Sequence, residues 1–229
     1  MKNIILIPCY RPDQKLIELL IDLKKTVNAD IILVNDGSEK CCDETFEAAK
    51  KRLGCIILTH PENLGKGMAL KTGFRYILEN EKDDDISLVC ADCDGQHTAI
   101  DIERICDAVS DNHGKLILGC RNFSEKGIPL RSQIGNKITR STFKFFCGIK
   151  VSDTQTGLRG MDKPLIKRFI KTKGNRFEYE MNMLMDAKAS NISILQIPIS
   201  TIYIDGNETS KFSVLKDSMR VYRVFLKFM

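Results

Sequence analysis

One pattern dominates the first half of the chain: short runs of apolar residues alternate with segments whose apolar residues recur at helical spacing. The runs predict strands at residues 3–7, 30–34, 55–58, 86–91 and 115–120. The segments between them predict helices at residues 14–27, 43–52 and 99–111, and a helix that follows the loop at residues 63–67 and runs to about residue 80. Strands that alternate with helices form a parallel sheet covered on both faces, so its strands are apolar throughout. The sequence therefore predicts a three-layer α/β/α fold with a mostly parallel central sheet.

The second half of the chain is less regular. Its patterns predict helices at residues 135–147 and 177–188 and strands at residues 192–197 and 201–204. No stretch rich in Pro, Gly or Ser divides the chain. We therefore expect a single domain over residues 1–229, in which residues 1–120 and 121–229 supply different ligand contacts.

Composition excludes several classes of protein. The 229 residues carry a net charge of +5, which favours anionic partners but falls well short of a nucleic-acid-binding composition. No run approaches the roughly 18 apolar residues of a membrane-spanning helix, and the apolar start is too short for a secretory signal. The nine cysteines are an odd number, and Cys90 and Cys93 form one CxxC spacing without a second pair. We expect reduced thiols in a cytosolic protein rather than a zinc site.

Polar residues follow three of the predicted strands where each strand ends. These are residues 8–10, 35–38 and 92–96. In open parallel sheets, ligands bind beyond the carboxyl ends of the strands. Three strands should therefore deliver polar side chains to one crevice.

Two carboxylates, Asp92 and Asp94, follow the fourth predicted strand. On an extended chain, residues two apart face the same way about 6.5–7 Å from each other, so both carboxylates can share one cation. Gln96 can add a carbonyl oxygen, and hard oxygen ligands suit Mg²⁺ or Mn²⁺ bridging a diphosphate. The same spacing recurs at Asp83 and Asp85, in a charged turn where we expect no metal. The position after an apolar strand, rather than the spacing, predicts the metal site.

Two further features suit a nucleotide. Asp36 either accepts a hydrogen bond from a nucleobase or ribose or forms a plain turn with Gly37. Gly65, Lys66 and Gly67 either bring backbone N–H groups and a cation to a phosphate or simply begin a helix. Their spacing is not that of the usual ATP-binding P-loop.

An ordered set of motifs makes a resemblance specific. The motifs are Ile7-Pro8-Cys9-Tyr10, Val34-Asn35-Asp36-Gly37-Ser38, Asn63-Leu64-Gly65-Lys66-Gly67, Ala91-Asp92-Cys93-Asp94-Gly95-Gln96-His97, Gly119-Cys120-Arg121, Ser152-Asp153-Thr154-Gln155-Thr156-Gly157-Leu158-Arg159 and Ser210-Lys211-Phe212. The chain resembles the family 2 glycosyltransferases of GT-A fold, in the branch of dolichyl-phosphate mannose synthase and the bacterial polyprenyl-phosphate glycosyltransferases. The resemblance implies a Rossmann-like GT-A domain.

The resemblance also implies a reaction. The enzyme would be an inverting, metal-dependent transferase that moves a hexose from a UDP- or GDP-linked sugar to a polyprenyl phosphate. Residues 1–120 would bind the nucleotide sugar and residues 121–229 the acceptor. The residues implied for the donor are Pro8, Tyr10, Asp36, Gly65, Lys66 and Asp92. Those implied for Mg²⁺ or Mn²⁺ are Asp92, Asp94 and Gln96, those for the reacting centre are Asp94 and Asp153, and those for the acceptor phosphate are Arg121, Arg131 and Lys211.

Alternatives to this reaction stay open from the sequence. A relative that acts on a glycan hydroxyl needs a general base, for which Asp153 is the candidate, although Asp153 also suits a helix cap or turn. A non-catalytic protein that binds a nucleotide sugar is the third possibility. Asn35 and Arg11 depart from residues that family members often carry, which leaves the base and the sugar open.

Positive charge is concentrated in residues 119–150, where seven basic residues and one acidic residue give +6. Aromatic and aliphatic residues are interleaved with them, as on helices that lie on an anionic membrane. The alternative is core packing with a solvated charged face. Residues 216–229 mix basic and apolar residues in the same way and suit a second interfacial helix, an oligomer contact or the approach to a membrane segment. We expect a cytoplasmic enzyme, peripheral at the inner face of the membrane, with a possible membrane partner protein and no nucleic acid.

Overall fold

A computed structural model describes residues 1–122, 148 and 151–200. The described residues contain one seven-stranded sheet. Its strands are β1 (Lys2–Cys9), β2 (Asp30–Asn35), β3 (Ile56–Thr59), β4 (Ile86–Cys90), β5 (Leu116–Arg121), β6 (Arg159–Asp162) and β7 (Ile194–Ile199). The helices are α1 (Gln14–Thr26), α2 (Asp43–Leu53), α3 (Lys66–Asn80), α4 (Ala99–Asp111), α5 (Lys163–Phe169) and α6 (Glu178–Ala189), with a 3₁₀ turn at Lys40–Cys42.

The strand order places a crevice in the middle of the sheet. Across the sheet the order is β3-β2-β1-β4-β6-β5-β7. The chain moves outward from β1 to β3 and then crosses back to place β4 on the other side of β1. Such a reversal separates the connections at the carboxyl ends of two adjacent strands, here β1 and β4. Ligands bind at this position in open α/β sheets.

Helices cover both faces of the sheet. Along β1, Ile4 and Leu6 pack in a cluster that includes Phe74 of α3 and Leu184 of α6. The alternate residues of β1 pack in a second cluster with α1 and α4, because successive side chains of a strand point to opposite faces. Strands buried on both faces explain the continuous apolar runs. The three-layer α/β architecture predicted from the sequence is confirmed.

The sheet is mostly parallel, as predicted, with one antiparallel strand. β6 runs antiparallel to both β4 and β5 and lies between them. Neither β6 nor α5 was predicted from the sequence, since β6 has the sequence Arg-Gly-Met-Asp and lacks an apolar run. Its Arg159 is nevertheless buried, and donates to the carbonyl oxygens of Thr156 and Glu180. These carbonyl partners offset the cost of burying the guanidinium.

Several predictions fall on residues outside the described ranges. They are the helix at 135–147, the strand at 201–204, the interfacial segment at 216–229, and the acceptor contacts Arg131 and Lys211. In the part of the chain that is described, no helix is long and apolar enough to cross a membrane. The eight cysteines of that part are free thiols, Cys90 and Cys93 among them.

Candidate active site

The ends of β1 and β2 are joined by polar contacts. Tyr10, just after β1, is partly exposed, and the guanidinium of Arg11 lies 5.2 Å from the centre of its ring. Arg11 has a left-handed backbone (φ 52°), donates its backbone N–H to Ser38 Oγ at 2.9 Å and forms an ion pair with Glu39. Asn35 Oδ1 accepts from the backbone N–H of Ser38 at 2.9 Å. These contacts fix the loops after the two strands against each other.

Asp36 is the anchor of the loop that precedes α3. Its carboxylate accepts from the backbone N–H groups of Leu64 and Gly65, both at 2.9 Å, and from Asn63 Nδ2 at 3.1 Å. His60 Nδ1 lies 2.7 Å from the same carboxylate, and Asp36 is only 2% exposed. The nucleoside contact expected of Asp36 stays a prediction. The observed contacts show that the carboxylate is engaged within the protein and positions Gly65.

Gly65 and Gly67 allow a loop from the second half of the chain to pack on the N-terminus of α3. A Cβ at Gly65 would lie 2.5 Å from Arg176 Cγ, and one at Gly67 would lie 2.5 Å from Tyr179 Cβ. Asn175 O accepts from the backbone N–H of Met68 at 2.9 Å. Gly65 and Gly67 therefore serve this close approach, and the phosphate binding that the sequence suggested for this loop stays a prediction.

Lys66, the first residue of α3, lies between two carboxylates. Its Nζ is 2.6 Å from Asp92 Oδ1 and 3.0 Å from Glu180 Oε2. The Lys66 side chain is 14% exposed. Burial alone lowers the pKa of Lys66, but the charges of Asp92 and Glu180 outweigh it, so the net shift raises that pKa. Lys66 is therefore a fixed cation at the end of β4.

The two carboxylates of the predicted metal site differ electrostatically. Burial alone raises the pKa of Asp92, but the nearby Lys66 charge and a contact with His97 outweigh it and lower that pKa. Burial and the negative charge of Asp92 raise the pKa of Asp94. Asp94 Oδ1 also accepts from the backbone N–H of Gln96 at 3.1 Å. Asp92 therefore has Lys66 as a nearby opposite charge, whereas Asp94 has to ionise beside the negative charge of Asp92.

This donor set fits Mg²⁺ or Mn²⁺. The two carboxylates and the Gln96 carbonyl are hard oxygen donors. A divalent cation would remove the repulsion that raises the pKa of Asp94. Within the described ranges, no cluster of three or more His, Cys, Asp or Glu residues could hold a metal by itself. A Mg²⁺ site with one or two protein carboxylates takes its other ligands from water and substrate phosphates.

Gly157 brings the backbone of the second half directly against Asp92. A Cβ at position 157 would lie 2.2 Å from Asp92 Oδ2 and 2.6 Å from its Cγ. His97 lies on the same oxygen, with its Nε2 3.6 Å away. The Asp92 carboxylate is therefore confined by Gly157, His97 and Lys66.

Arg121 and Asp153, which the sequence suggested for separate roles, form an ion pair. Arg121 Nε donates to Asp153 Oδ2 at 2.7 Å and Nη2 to Oδ1 at 3.2 Å. Arg121 Nη1 also reaches Gln96 Oε1 at 3.5 Å. Asp153 is fully buried, and its Oδ1 accepts from the backbone N–H of Gln155 at 3.0 Å. The pair connects the end of β5 to the predicted metal site.

Glu180 was missed by the sequence analysis. It lies in α6, between the motifs at residues 152–159 and 210–212, and no periodicity or spacing marks it. It lies against Lys66, and Arg159 approaches its Oε1 at 3.9 Å. Arg159 Nη2 is buried without a hydrogen-bond partner among residues 1–122, 148 and 151–200. The site thus includes a buried charged layer beneath Asp92.

Most of this chain matches one known protein family. Residues 4–170 match the family described as Glycosyl transferase family 2. The chain therefore belongs to glycosyl transferase family 2 and is a glycosyltransferase, as its motifs predicted.

Named relatives cover nearly the whole chain. It is 28% identical over 243 residues to the UDP-N-acetylglucosamine--dolichyl-phosphate N-acetylglucosaminyltransferase of Methanococcus voltae, covering 97% of this chain and 94% of that protein. It is 27% identical over 249 residues to the dolichyl-phosphate beta-glucosyltransferase of Saccharomyces cerevisiae, covering 95% of this chain and 71% of that one. These similarities agree with the branch suggested by the motifs.

A solved structure shares the fold. Glucosyl-3-phosphoglycerate synthase from Mycobacterium tuberculosis, crystallised with Mn²⁺, UDP and phosphoglyceric acid, matches with a TM-score of 0.72. The match has 13% sequence identity and covers 99% of this chain and 76% of that one. The predicted GT-A fold is confirmed.

Proposed function

We propose that this protein transfers a sugar from a nucleoside diphosphate sugar to a polyprenyl phosphate of the dolichyl type, with inversion and with a bound divalent metal. The observation that carries the proposal is the convergence of Asp92, Asp94 and Lys66 at the crevice between β1 and β4. Paired carboxylates beside a buried ammonium suit a metal-bound diphosphate. The named relatives, which act on dolichyl phosphate, support the acceptor.

On the donor side, Asp92, Asp94 and Gln96 would hold Mg²⁺ or Mn²⁺. When bound, the metal would neutralise negative charge on the nucleoside diphosphate as it leaves. Lys66 adds a fixed positive charge at the same place. Pro8 and Tyr10, with the loop that Asp36 holds, would form the nucleoside pocket. The Mn²⁺ and UDP found with the M. tuberculosis enzyme support this arrangement.

On the acceptor side, Arg121 would bind the lipid phosphate. Arginine suits this role because its planar guanidinium binds phosphate through two hydrogen bonds. Asp153 and Gln96 hold that guanidinium in one orientation beside the metal site. Arg131 and Lys211 are further proposed contacts, and both lie outside the described residues.

The chemistry needs little help from a base. An oxygen of the acceptor phosphate, already anionic near neutral pH, attacks C1 of the sugar. The bond from C1 to the diphosphate oxygen breaks, and its electron pair leaves with the nucleoside diphosphate. Attack from the opposite face inverts C1. Asp153 is fully buried and paired with Arg121, which suits holding that arginine better than removing a proton from a glycan hydroxyl.

We place the protein at the cytoplasmic face of a membrane. The +6 segment at residues 119–150 suits an anionic surface where a lipid phosphate is presented. Arg121, which belongs to this segment, lies at the proposed acceptor side. A membrane partner protein is compatible with this placement, and nucleic acid is not an expected partner.

The test is a panel of UDP- and GDP-sugars offered with a short polyprenyl phosphate and, separately, with soluble glycans, in Mg²⁺ or Mn²⁺. We expect one donor to yield a glycosyl polyprenyl phosphate. Transfer to a glycan but not to the lipid would refute the acceptor, and no transfer with any pair would favour a binding protein. Asp92→Ala and Asp94→Ala should abolish turnover. Asp83→Ala and Asp85→Ala, which share the spacing but lie in a solvated turn, are the matched controls.

A further inference from the structure

Glu180 lies beneath the site in a position that no strand end or motif explains. It is in the first turn of α6, is 7% exposed, and comes from the half of the chain expected to bind the acceptor. Its carboxylate faces Lys66 at 3.0 Å, on the donor side. A buried carboxylate must be paired to be tolerated, and Glu180 is paired with the cation that also contacts Asp92.

Lys66 has one ammonium group for two carboxylates. It lies 2.6 Å from Asp92 and 3.0 Å from Glu180, so the two carboxylates share the electrostatic attraction of one ammonium group. Arg159, from β6, adds a second positive charge 3.9 Å from Glu180. With Asp92 and Glu180 ionised, these four side chains sum to zero. Without the charge of Glu180, the four side chains together would carry one net positive charge.

We infer that Glu180 is a positioning residue that shares Lys66 with Asp92 and thereby leaves Asp92 able to bind a divalent cation. The inference rests on the proposed function, since it concerns the same metal site. Lys66 and a metal compete for the Asp92 carboxylate. Glu180 contacts Lys66 from the other side and balances its charge. A metal that binds Asp92 therefore does not have to leave Lys66 without a carboxylate partner.

The inference predicts a specific effect of Glu180→Gln. The amide keeps the size of the side chain and can still accept a hydrogen bond from Lys66. The lost negative charge leaves Asp92 as the remaining carboxylate partner of Lys66 among the described residues, so metal binding at Asp92 should weaken by about tenfold or more.

The experiment titrates Mn²⁺ into the full chain by electron paramagnetic resonance with UDP or GDP present and no acceptor. Metal binding is thus read without turnover. Asp186→Asn is the matched control: it changes one acid to its amide in the same helix and breaks the 2.6 Å ion pair with Arg168, away from Asp92. We expect weaker Mn²⁺ binding in Glu180→Gln alone. Wild-type binding in Glu180→Gln, or equal weakening in Asp186→Asn, would overturn the inference.

A second pair of variants separates charge sharing from simple packing. In a Lys66→Met background no ammonium competes for Asp92, so adding Glu180→Gln should change Mn²⁺ binding by less than about twofold. An undiminished effect in that background would overturn the inference. Glu180→Asp keeps the charge and should bind Mn²⁺ more tightly than Glu180→Gln. A wild-type chain that binds no Mn²⁺ with either nucleotide would instead refute the proposed metal site itself.

Discussion

Gly157→Ala should disable the active site by moving one carboxylate. The new Cβ would lie 2.2 Å from Asp92 Oδ2 and 2.6 Å from Cγ, where ordinary contacts begin near 3.4 Å. The carboxylate or the Gly157 backbone must therefore shift by about 1 Å. Lys66 at 2.6 Å and the buried His97 leave Asp92 little room to do so. Misplacing a catalytic group by about 1 Å costs roughly 100-fold in rate, and we expect a loss of that size in kcat/KM.

The assay compares Gly157→Ala with Gly160→Ala under the same conditions. A Cβ at Gly160 would lie 2.5 Å from Val109 Cγ2, in the core rather than at the site. Gly160→Ala should therefore lower the free energy of unfolding by about 1–3 kcal/mol while the folded fraction keeps its turnover. Gly157→Ala should lose turnover and Mn²⁺ binding while it remains folded. Full activity in Gly157→Ala would refute the confinement of Asp92, and equal activity loss in both variants would attribute the effect to stability.

Three further predictions concern stability. Asp92→Asn should destabilise the metal-free protein at neutral pH, because folding lowers the pKa of Asp92 and so stabilises its ionised form. Asp94→Asn should stabilise the metal-free protein, because folding raises the pKa of Asp94, so that keeping this carboxyl ionised at neutral pH costs folding free energy. Thermal unfolding in EDTA measures both effects. Asp36→Asn should cost about 2–3 kcal/mol in urea unfolding, since it removes the charge from a buried carboxylate that accepts two backbone N–H groups. Lys163→Met should cost about 2–3 kcal/mol in the same assay without changing turnover, because Lys163 Nζ donates to backbone carbonyls just after α3, at 2.9 Å to Glu81 and 2.7 Å to Asp83.

The sequence predicted the elements whose pattern is local. β1, β2 and β4 are apolar runs buried on both faces, and α1 and α4 follow a 3.6-residue period with capping residues Asp13 and Thr98. β6 was not predicted because its burial depends on residues elsewhere in the chain. Gly160 packs under α4, and Arg159 donates hydrogen bonds to carbonyl oxygens of other segments. The four residues of β6 alone do not indicate these long-range contacts.

The site shows the same division. The position of Asp92 and Asp94 just after β4 could be predicted because topology brings strand ends together, and their metal binding stays a prediction. Their electrostatic partners were not. The pairing of Arg121 with Asp153 and of Lys66 with Glu180 joins segments that are distant along the chain, and a single sequence carries no record of such contacts. The contacts also refine the expected roles, since Asp36 and Asp153 both have their carboxylates engaged within the protein.

The central claim is that paired carboxylates at the end of β4 support metal-dependent sugar transfer to a lipid phosphate. The most direct measurement is the formation of glycosyl polyprenyl phosphate by the purified protein with its preferred donor, with Mn²⁺ and with EDTA, for the wild type and Asp94→Asn. We predict product for the wild type with Mn²⁺ and at least a 100-fold loss with EDTA or Asp94→Asn. Equal product in all four reactions would contradict the claim.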